Sequence, residues 1–130
     1  MKNTISIAEF KKLRKEGRVG AAQKGSKAKA EMLNVFRKIA LEKQIAFATE
    51  FKFSEERKFK FDYALPGLMI SCEYEGLLSE KSGHTTVTGY TSNCEKYNLA
   101  TCLGWRMLRY TALNYKELEN DLRKLLSNQI

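Results

Sequence analysis

Apolar and polar residues follow two different periods along this chain, and the change between them predicts a mixture of helices and strands. Residues 27–44 carry an apolar stripe at helical spacing, formed by Met32, Val35, Phe36, Ile39 and Ala40. A shorter helix is predicted over residues 4–16, where Ile7, Phe10 and Leu13 recur every three residues. Residues 17–30 are rich in Gly, Ala and Lys, which is typical of a flexible linker.

After residue 44 the apolar period shortens to two, as in β-strands. Strands are predicted over residues 47–53, 58–63, 68–75 and 105–110, with Pro66-Gly67 as the turn before the third. The first half of that third strand is apolar on both faces, as expected of a central strand. Residues 93–103 and 114–126 are predicted to be helices, and residues 77–92 a polar loop.

The order of these elements, α-β-β-β-α-β-α, predicts an α/β or α+β fold with a mixed β-sheet flanked by helices. The first three strands should form a meander, and the strand, helix and strand at 68–75, 93–103 and 105–110 a right-handed parallel crossover. We expect two parts: a basic arm over residues 1–30, and a folded domain over residues 31–130.

The positive charge of the chain is concentrated in that arm. The formal net charge is +8, and residues 1–30 contain nine of the 23 basic residues but only two of the 15 acidic ones. A basic arm on a nearly neutral body favours binding to a nucleic acid through its phosphates, without base specificity, although a solubilising tail has the same composition. The side chains predicted to contact phosphates are Lys11, Lys12, Arg14, Lys15, Arg18, Lys24, Lys27 and Lys29.

Other function classes fit the composition poorly. No apolar run is long enough for a membrane span, and the N-terminus lacks a secretion signal, so a cytosolic location is expected. The three cysteines, Cys72, Cys94 and Cys102, have no metal-type spacing and should be reduced and mostly buried.

Two acidic residues stand out by their position in the predicted strands. Asp62 ends the second strand, and Glu73 lies in the third strand after an apolar run. If these strands pair as a hairpin, the two carboxylates converge near one end of the sheet and favour Mg²⁺ or Mn²⁺. Such an ion, with a substrate phosphate, activates a water nucleophile. The alternative is a pair of exposed acids at strand ends.

Residues 50–110 resemble the PD-(D/E)XK nuclease superfamily, and in particular small phage and bacterial nucleases of the very-short-patch-repair and Holliday-junction-resolvase kind. The resemblance rests on four motifs in the same order, which are RKFKFDYA (57–64), ISCEYEG (70–76), CEKYN (94–98) and LGWRMLRY (103–110). It implies a restriction-endonuclease-like fold. It also implies a Mg²⁺-dependent DNA endonuclease, acting in recombination or repair inside a bacterial or phage-infected cell.

The resemblance also assigns roles to individual residues. Asp62 matches the metal-bridging aspartate, Glu73 the second metal ligand, and the backbone carbonyl of Tyr74 completes the ligand set. Glu31 resembles a glutamate that related resolvases supply from the first helix, and Glu50 is a rival for that role. Branched DNA, such as a Holliday junction, is the favoured substrate over plain duplex, and cutting two strands symmetrically requires a homodimer.

One departure from the family pattern concerns the lysine expected two residues after Glu73, where this chain has Glu75. Lys96, on the following helix, is predicted to reach back and replace it. Glu75 itself is either a third metal ligand or an orienting base. The missing lysine supports an alternative function, a non-catalytic nucleic-acid-binding module that kept the nuclease fold.

Three further side-chain types have competing explanations. His84, the single histidine, is either simply exposed in its loop or close enough to orient a water or contact a phosphate. Trp105 is expected in the core rather than stacked on a base. Arg106 and Arg109 lie on opposite faces of their strand, and each is a candidate for a phosphate contact or a structural salt bridge.

Overall fold

A computed structural model of the chain describes residues 24–76 and 86–128. Its helices and strands, in chain order, are α1 (Lys24–Lys43), β1 (Ala48–Lys52), β2 (Lys60–Leu65), β3 (Ile70–Tyr74), α2 (Val87–Cys102), β4 (Arg106–Tyr110) and α3 (Leu118–Ser127). Short 3-10 helices cover Pro66–Leu68 and Tyr115–Glu117. The predicted helix at residues 4–16 and most of the predicted linker lie outside the described residues.

The four strands form one sheet in the order β1-β2-β3-β4. Strands β1, β2 and β3 pair antiparallel, as the predicted meander requires. Strand β4 pairs parallel to β3, which confirms that the intervening helix makes a crossover connection. The predicted mixed sheet with flanking helices is therefore confirmed.

Each face of the sheet is covered by a different set of helices. Helices α1 and α3 cover one face, and their buried residues Met32, Phe36, Ile39, Leu118 and Leu122 form the larger core with β2, β3 and β4. On the other face, Ala100 of α2 meets a smaller cluster that includes Phe51, Phe61 and Trp105. The core position predicted for Trp105 is confirmed.

The alternation of buried side chains along β1 and β2 slips by one residue in the middle of both strands. Ala48 and Phe51 are three residues apart and yet join the same cluster, and so do Phe61 and Ala64 on the partner strand. Between them, Glu50 has a φ of 48°, a left-handed conformation that is uncommon outside glycine. The irregularity lies beside Asp62, which is where the site described below is built.

Most boundaries differ from the prediction by a few residues, and three of the differences bear on the site. Helix α2 begins at Val87 rather than residue 93, because Thr86 caps it by accepting the N–H of Gly89 at 3.0 Å. Helix α1 begins at Lys24, inside the segment predicted as linker. Strand β2 runs to Leu65, so that the acid predicted at its end lies within it.

The cysteine prediction is partly wrong. Cys72 is buried in the larger core, as expected. Cys94 and Cys102 are exposed, because both lie on helix α2, which buries few of its residues against the sheet. All three are free thiols.

Candidate active site

The hairpin of β2 and β3 brings the two predicted acids together. Its register pairs Tyr63 with Cys72 and Ala64 with Ser71, so the next pair outward is Asp62 and Glu73. The conditional prediction that the strands pair as a hairpin is thus confirmed. Asp62 does not end its strand, however, and the acid pair lies where the regular ladder between the two strands stops.

Each of the two carboxylates takes a backbone N–H from the opposite strand. The N–H of Asp62 donates to Oε2 of Glu73 at 2.7 Å, and the N–H of Tyr74 donates to Oδ2 of Asp62 at 2.8 Å. These two bonds give the backbone N–H groups of Asp62 and Tyr74 a side-chain acceptor at the point where the regular backbone pairing of β2 and β3 ends. They fix both carboxylates and leave one oxygen of each, Oδ1 of Asp62 and Oε1 of Glu73, for other partners.

Lys96 on helix α2 supplies the partner for the free oxygen of Glu73. Its ammonium donates to Oε1 of Glu73, and both side chains are largely buried, at 12% and 8% exposed. The ammonium also lies 5.8 Å from the centre of the Phe61 ring. Lys96 therefore reaches the acid pair from the following helix, as predicted, and contacts Glu73 directly.

The electrostatics of Glu73 reflect this crowding. Burial raises the pKa of Glu73, the negative charge of Asp62 raises it further, and Lys96 opposes both, with the result that the pKa lies at about 7. A carboxyl with a pKa near neutrality, beside a second acid and a lysine, is typical of functional sites.

A lysine on helix α1 is the neighbour of the free oxygen of Asp62. Nζ of Lys29 lies 3.9 Å from Oδ1 of Asp62, and its side chain is about half exposed. The start of α1 is held in place because the hydroxyl of Tyr63 donates to the backbone carbonyl of Lys29 at 3.0 Å. Lys29 was predicted as a phosphate contact, and its closeness to the acid pair was not expected.

Glu75 is held by two side chains rather than left free. The hydroxyl of Tyr97 donates to both of its oxygens, at 2.8 and 3.1 Å, and the guanidinium of Arg109 donates to Oε2 at 3.0 Å. The guanidinium also stacks on the Tyr97 ring, 3.9 Å from its centre. Of the two explanations for Arg109, the structure shows the salt bridge.

The two candidates for an additional acidic ligand are placed differently from the pair. Glu31 accepts a hydrogen bond from the hydroxyl of Tyr115 at 2.7 Å, and that ring meets the ring of Tyr74 edge-on. Glu50 is exposed on strand β1. Within residues 24–76 and 86–128, no three His, Cys, Asp or Glu side chains gather closely enough to hold a metal ion together. A role for either residue stays a prediction.

Several predicted contacts lie outside the described part of the chain. His84 is one of them, and the arm residues Lys11, Lys12, Arg14, Lys15 and Arg18 are the others. Lys24 begins α1, but its side chain is not described; Lys27, one turn further, is exposed.

The sequence did not predict the contact of Tyr97 with Glu75, or that Glu75 is the salt-bridge partner of Arg109. The hydroxyl of Tyr97 bonds to both carboxylate oxygens of Glu75. The sequence did contain one sign of this contact, the spacing of two acids and of their two partners on the next helix. Glu73 and the residue just after β3, Glu75, are two apart and so lie on one face by alternation, and Lys96 and Tyr97 are neighbours on the helix that follows.

Comparisons with known proteins add no family to this description. A scan of family models, a search of curated proteins and a search of solved structures each found no match to the chain. None of the helices in the described residues has the length and apolar character needed to cross a membrane.

Proposed function

We propose that the chain is a metal-dependent endonuclease that hydrolyses phosphodiester bonds in DNA. The observation that carries the proposal is the contact geometry of three side chains. Asp62 and Glu73 are fixed side by side by each other's strands, and Lys96 is bonded to Glu73 from helix α2. The sequence resemblance to PD-(D/E)XK nucleases supports the same reading of these residues.

The acid pair suits a hard divalent cation, Mg²⁺ or Mn²⁺. Asp62 and Glu73 would hold it, with the backbone carbonyl of Tyr74 as a third ligand. Mg²⁺ commonly binds through one or two carboxylates and keeps several waters, so two fixed carboxylates are sufficient. Lys96 and Lys29 pair with the remaining oxygens of these carboxylates, Oε1 of Glu73 and Oδ1 of Asp62, so a bound cation would take over part of that charge compensation.

When bound, such a cation would polarise the phosphate and lower the pKa of a water nucleophile. The chain's own residues would supply the rest of the chemistry. Lys96 would stabilise the negative charge that develops on the phosphate oxygens in the transition state. Lys29, which is half exposed at the start of α1, would hold the substrate backbone at the edge of the site.

The charge distribution supports DNA as the substrate. The net charge is +8, and its excess lies in residues 1–30, which run into helix α1, where Lys29 lies 3.9 Å from Asp62. Phosphate contacts from this arm would hold DNA without reading its bases. Branched DNA and a homodimer that cuts two strands symmetrically belong to the same proposal.

The test is a cleavage assay on a four-way DNA junction and a matching duplex, with and without Mg²⁺. The full chain should cut only with Mg²⁺ or Mn²⁺ present, and Asp62→Asn and Glu73→Gln should remove cleavage. Glu56→Gln is the matched control, because it removes a carboxylate from an exposed position on the loop before β2. Cleavage by Asp62→Asn at the wild-type rate would refute the proposal.

A non-catalytic nucleic-acid-binding module is separated from the enzyme by the same assay. That reading predicts tight, salt-sensitive binding of the junction, no cleavage under any cation, and no effect of Asp62→Asn on affinity.

A further inference from the structure

Two glutamates and two basic residues lie together on this side of the sheet, and they could form salt bridges in more than one combination. Glu73 lies in β3, and Glu75 follows directly after its end; the N–H of Glu75 still donates to the carbonyl of Tyr110 at 2.6 Å, and by alternation the two side chains lie on one face of the sheet. Two cations reach that face, Lys96 from helix α2 and Arg109 from strand β4. The register of the parallel strands pairs Arg109 with Glu73, not with Glu75.

The observed pairing departs from the register. Arg109 leans along its strand to Glu75, at 3.0 Å, and Lys96 takes Glu73. Tyr97 directs the arginine, because its ring stacks on the guanidinium while its hydroxyl bonds to the same carboxylate. Each glutamate thus has its own cation.

We propose that Glu75 is a positioning residue that draws Arg109 away from Glu73 and so keeps Glu73 available to Lys96 and to a divalent cation. Glu75 then acts neither as a ligand nor as a base. As far as it concerns the cation, this inference rests on the proposed function.

The physical reason lies in the chemistry of arginine. Its guanidinium is always charged and matches the geometry of a carboxylate, so even the half-exposed Arg109, once it loses Glu75, is attracted to another carboxylate within its reach. The carboxylate directly across from Arg109 in the strand register is Glu73. A guanidinium placed there would compete with Lys96 and with a cation for the same carboxylate.

The variant Glu75→Gln tests this, because it keeps the shape and the acceptor for Tyr97 but removes the charge. We expect Mn²⁺ affinity, measured by electron paramagnetic resonance, to fall about tenfold or more. The double variant Glu75→Gln/Arg109→Gln should return to within about threefold of wild type, because the competing cation is gone. A salt bridge that only stabilised the fold would give a double variant no better than the single one.

The control double variant is Glu75→Gln/Arg106→Gln, which removes the other arginine of β4. Arg106 bonds to the backbone carbonyl of Leu68, away from the acid pair, so its removal should restore nothing. Rescue by Arg106→Gln, or failure of rescue by Arg109→Gln, would overturn the inference.

A crystal structure of Glu75→Gln gives a readout that needs no cation. We expect Arg109 within salt-bridge distance of Glu73. Arg109 still on Tyr97 and away from Glu73 would overturn the inference. A wild-type protein that binds no Mn²⁺ would instead count against the proposed function, and this crystal structure would still decide the role of Glu75.

Discussion

Asp62 and Glu73 are two acids held close together in a partly buried part of the sheet. Their burial and mutual repulsion destabilise the folded protein when both are ionised. Burial and the charge of Asp62 both raise the pKa of Glu73, to about 7. Backbone N–H groups and two lysines offset only part of this cost. Such a cost is common where a site is shaped for a ligand rather than for stability.

The first prediction concerns that cost. Asp62→Asn should raise the free energy of unfolding of the metal-free protein at about pH 8 by on the order of 1 kcal/mol, the equivalent of about one pKa unit at Glu73. The asparagine can still accept the Tyr74 N–H, and the attraction to Lys29 that is lost is weak because that lysine is half exposed and 3.9 Å away, so the loss of repulsion dominates. Urea unfolding with a chelator present measures the change. A clear loss of stability, with no change in Glu56→Gln, would contradict it.

The second prediction concerns Lys96. Lys96→Met should lower the rate of DNA cleavage by about 10²–10³-fold and leave the affinity for DNA nearly unchanged, because the ammonium is largely buried against Glu73 and contributes charge to the transition state. Single-turnover cleavage and a binding titration in Ca²⁺ measure the two effects. Lys116→Met removes an exposed lysine of the short helix before α3 and is the control. Full activity in Lys96→Met would end the proposed role.

Among the helices and strands, the parts that sequence predicts well are those with a strong period. The hairpin of β2 and β3 follows from alternation and the Pro66-Gly67 turn, and with it the meeting of Asp62 and Glu73. Helix α1 follows from a stripe that the fold buries completely at Met32, Phe36 and Ile39.

The parts that sequence predicts poorly depend on contacts between distant segments. The first turns of helix α2 have no apolar stripe, and the cap at Thr86 gave the only local sign of its start. The pairing of Arg109 with Glu75 rather than Glu73 depends on where Tyr97 lies in space. No period along the chain encodes that choice.

The third prediction concerns the contact between helices α1 and α3. Arg123 of α3 bonds to Glu42 of α1, at 2.9 and 3.0 Å, and to Glu119 of its own helix at 3.0 Å. The bonds from Arg123 lower the pKa of Glu42, and the ammonium of Lys38, together with Arg123, lowers the pKa of Glu119. A lowered pKa in the folded state gives stability above the unfolded pKa, and this stability is lost as the pH falls through the folded pKa.

Arg123→Gln should therefore be less stable than wild type at about pH 7, by a modest amount because the pairs are on the surface. The difference should disappear in acid, once both carboxyls are protonated. Urea unfolding at a series of pH values measures this. Lys124→Gln, at the exposed neighbouring position, should show no such trend. A constant difference at every pH would mean that Arg123 contributes through packing alone.

At the scale of the whole molecule, the chain divides its charge between a basic N-terminal segment and a nearly neutral remainder. Residues 1–30 contain nine basic and two acidic residues of the total of 23 and 15. The site lies where this segment enters the fold, at the start of α1. In the proposed enzyme, binding and chemistry are therefore divided between the arm and the sheet.

The fourth prediction tests this division with four glutamine substitutions in the arm, at Lys11, Lys12, Arg14 and Lys15. Each phosphate contact that is lost should make the plot of log affinity against log salt shallower by about 0.9 on duplex DNA, so the four together should reduce the slope by roughly 3–4. Cleavage at saturating DNA should stay close to wild type, because the acid pair and Lys96 are untouched.

The matched control changes four lysines on α1, α3 and the short helix before α3 to glutamine, and so loses the same net charge. These are Lys38, Lys43, Lys116 and Lys124. If the arm itself contacts the phosphates, this control should keep nearly the whole salt dependence of the affinity. The reason is that the overall charge mainly changes the rate at which the protein meets DNA, whereas the slope reports the number of ions displaced from the DNA on binding. An equal reduction of the salt slope in the two variants would show that the arm only makes the protein more basic. A cleavage rate at saturating DNA that fell as much as the affinity would instead show that arm residues take part in the reaction itself.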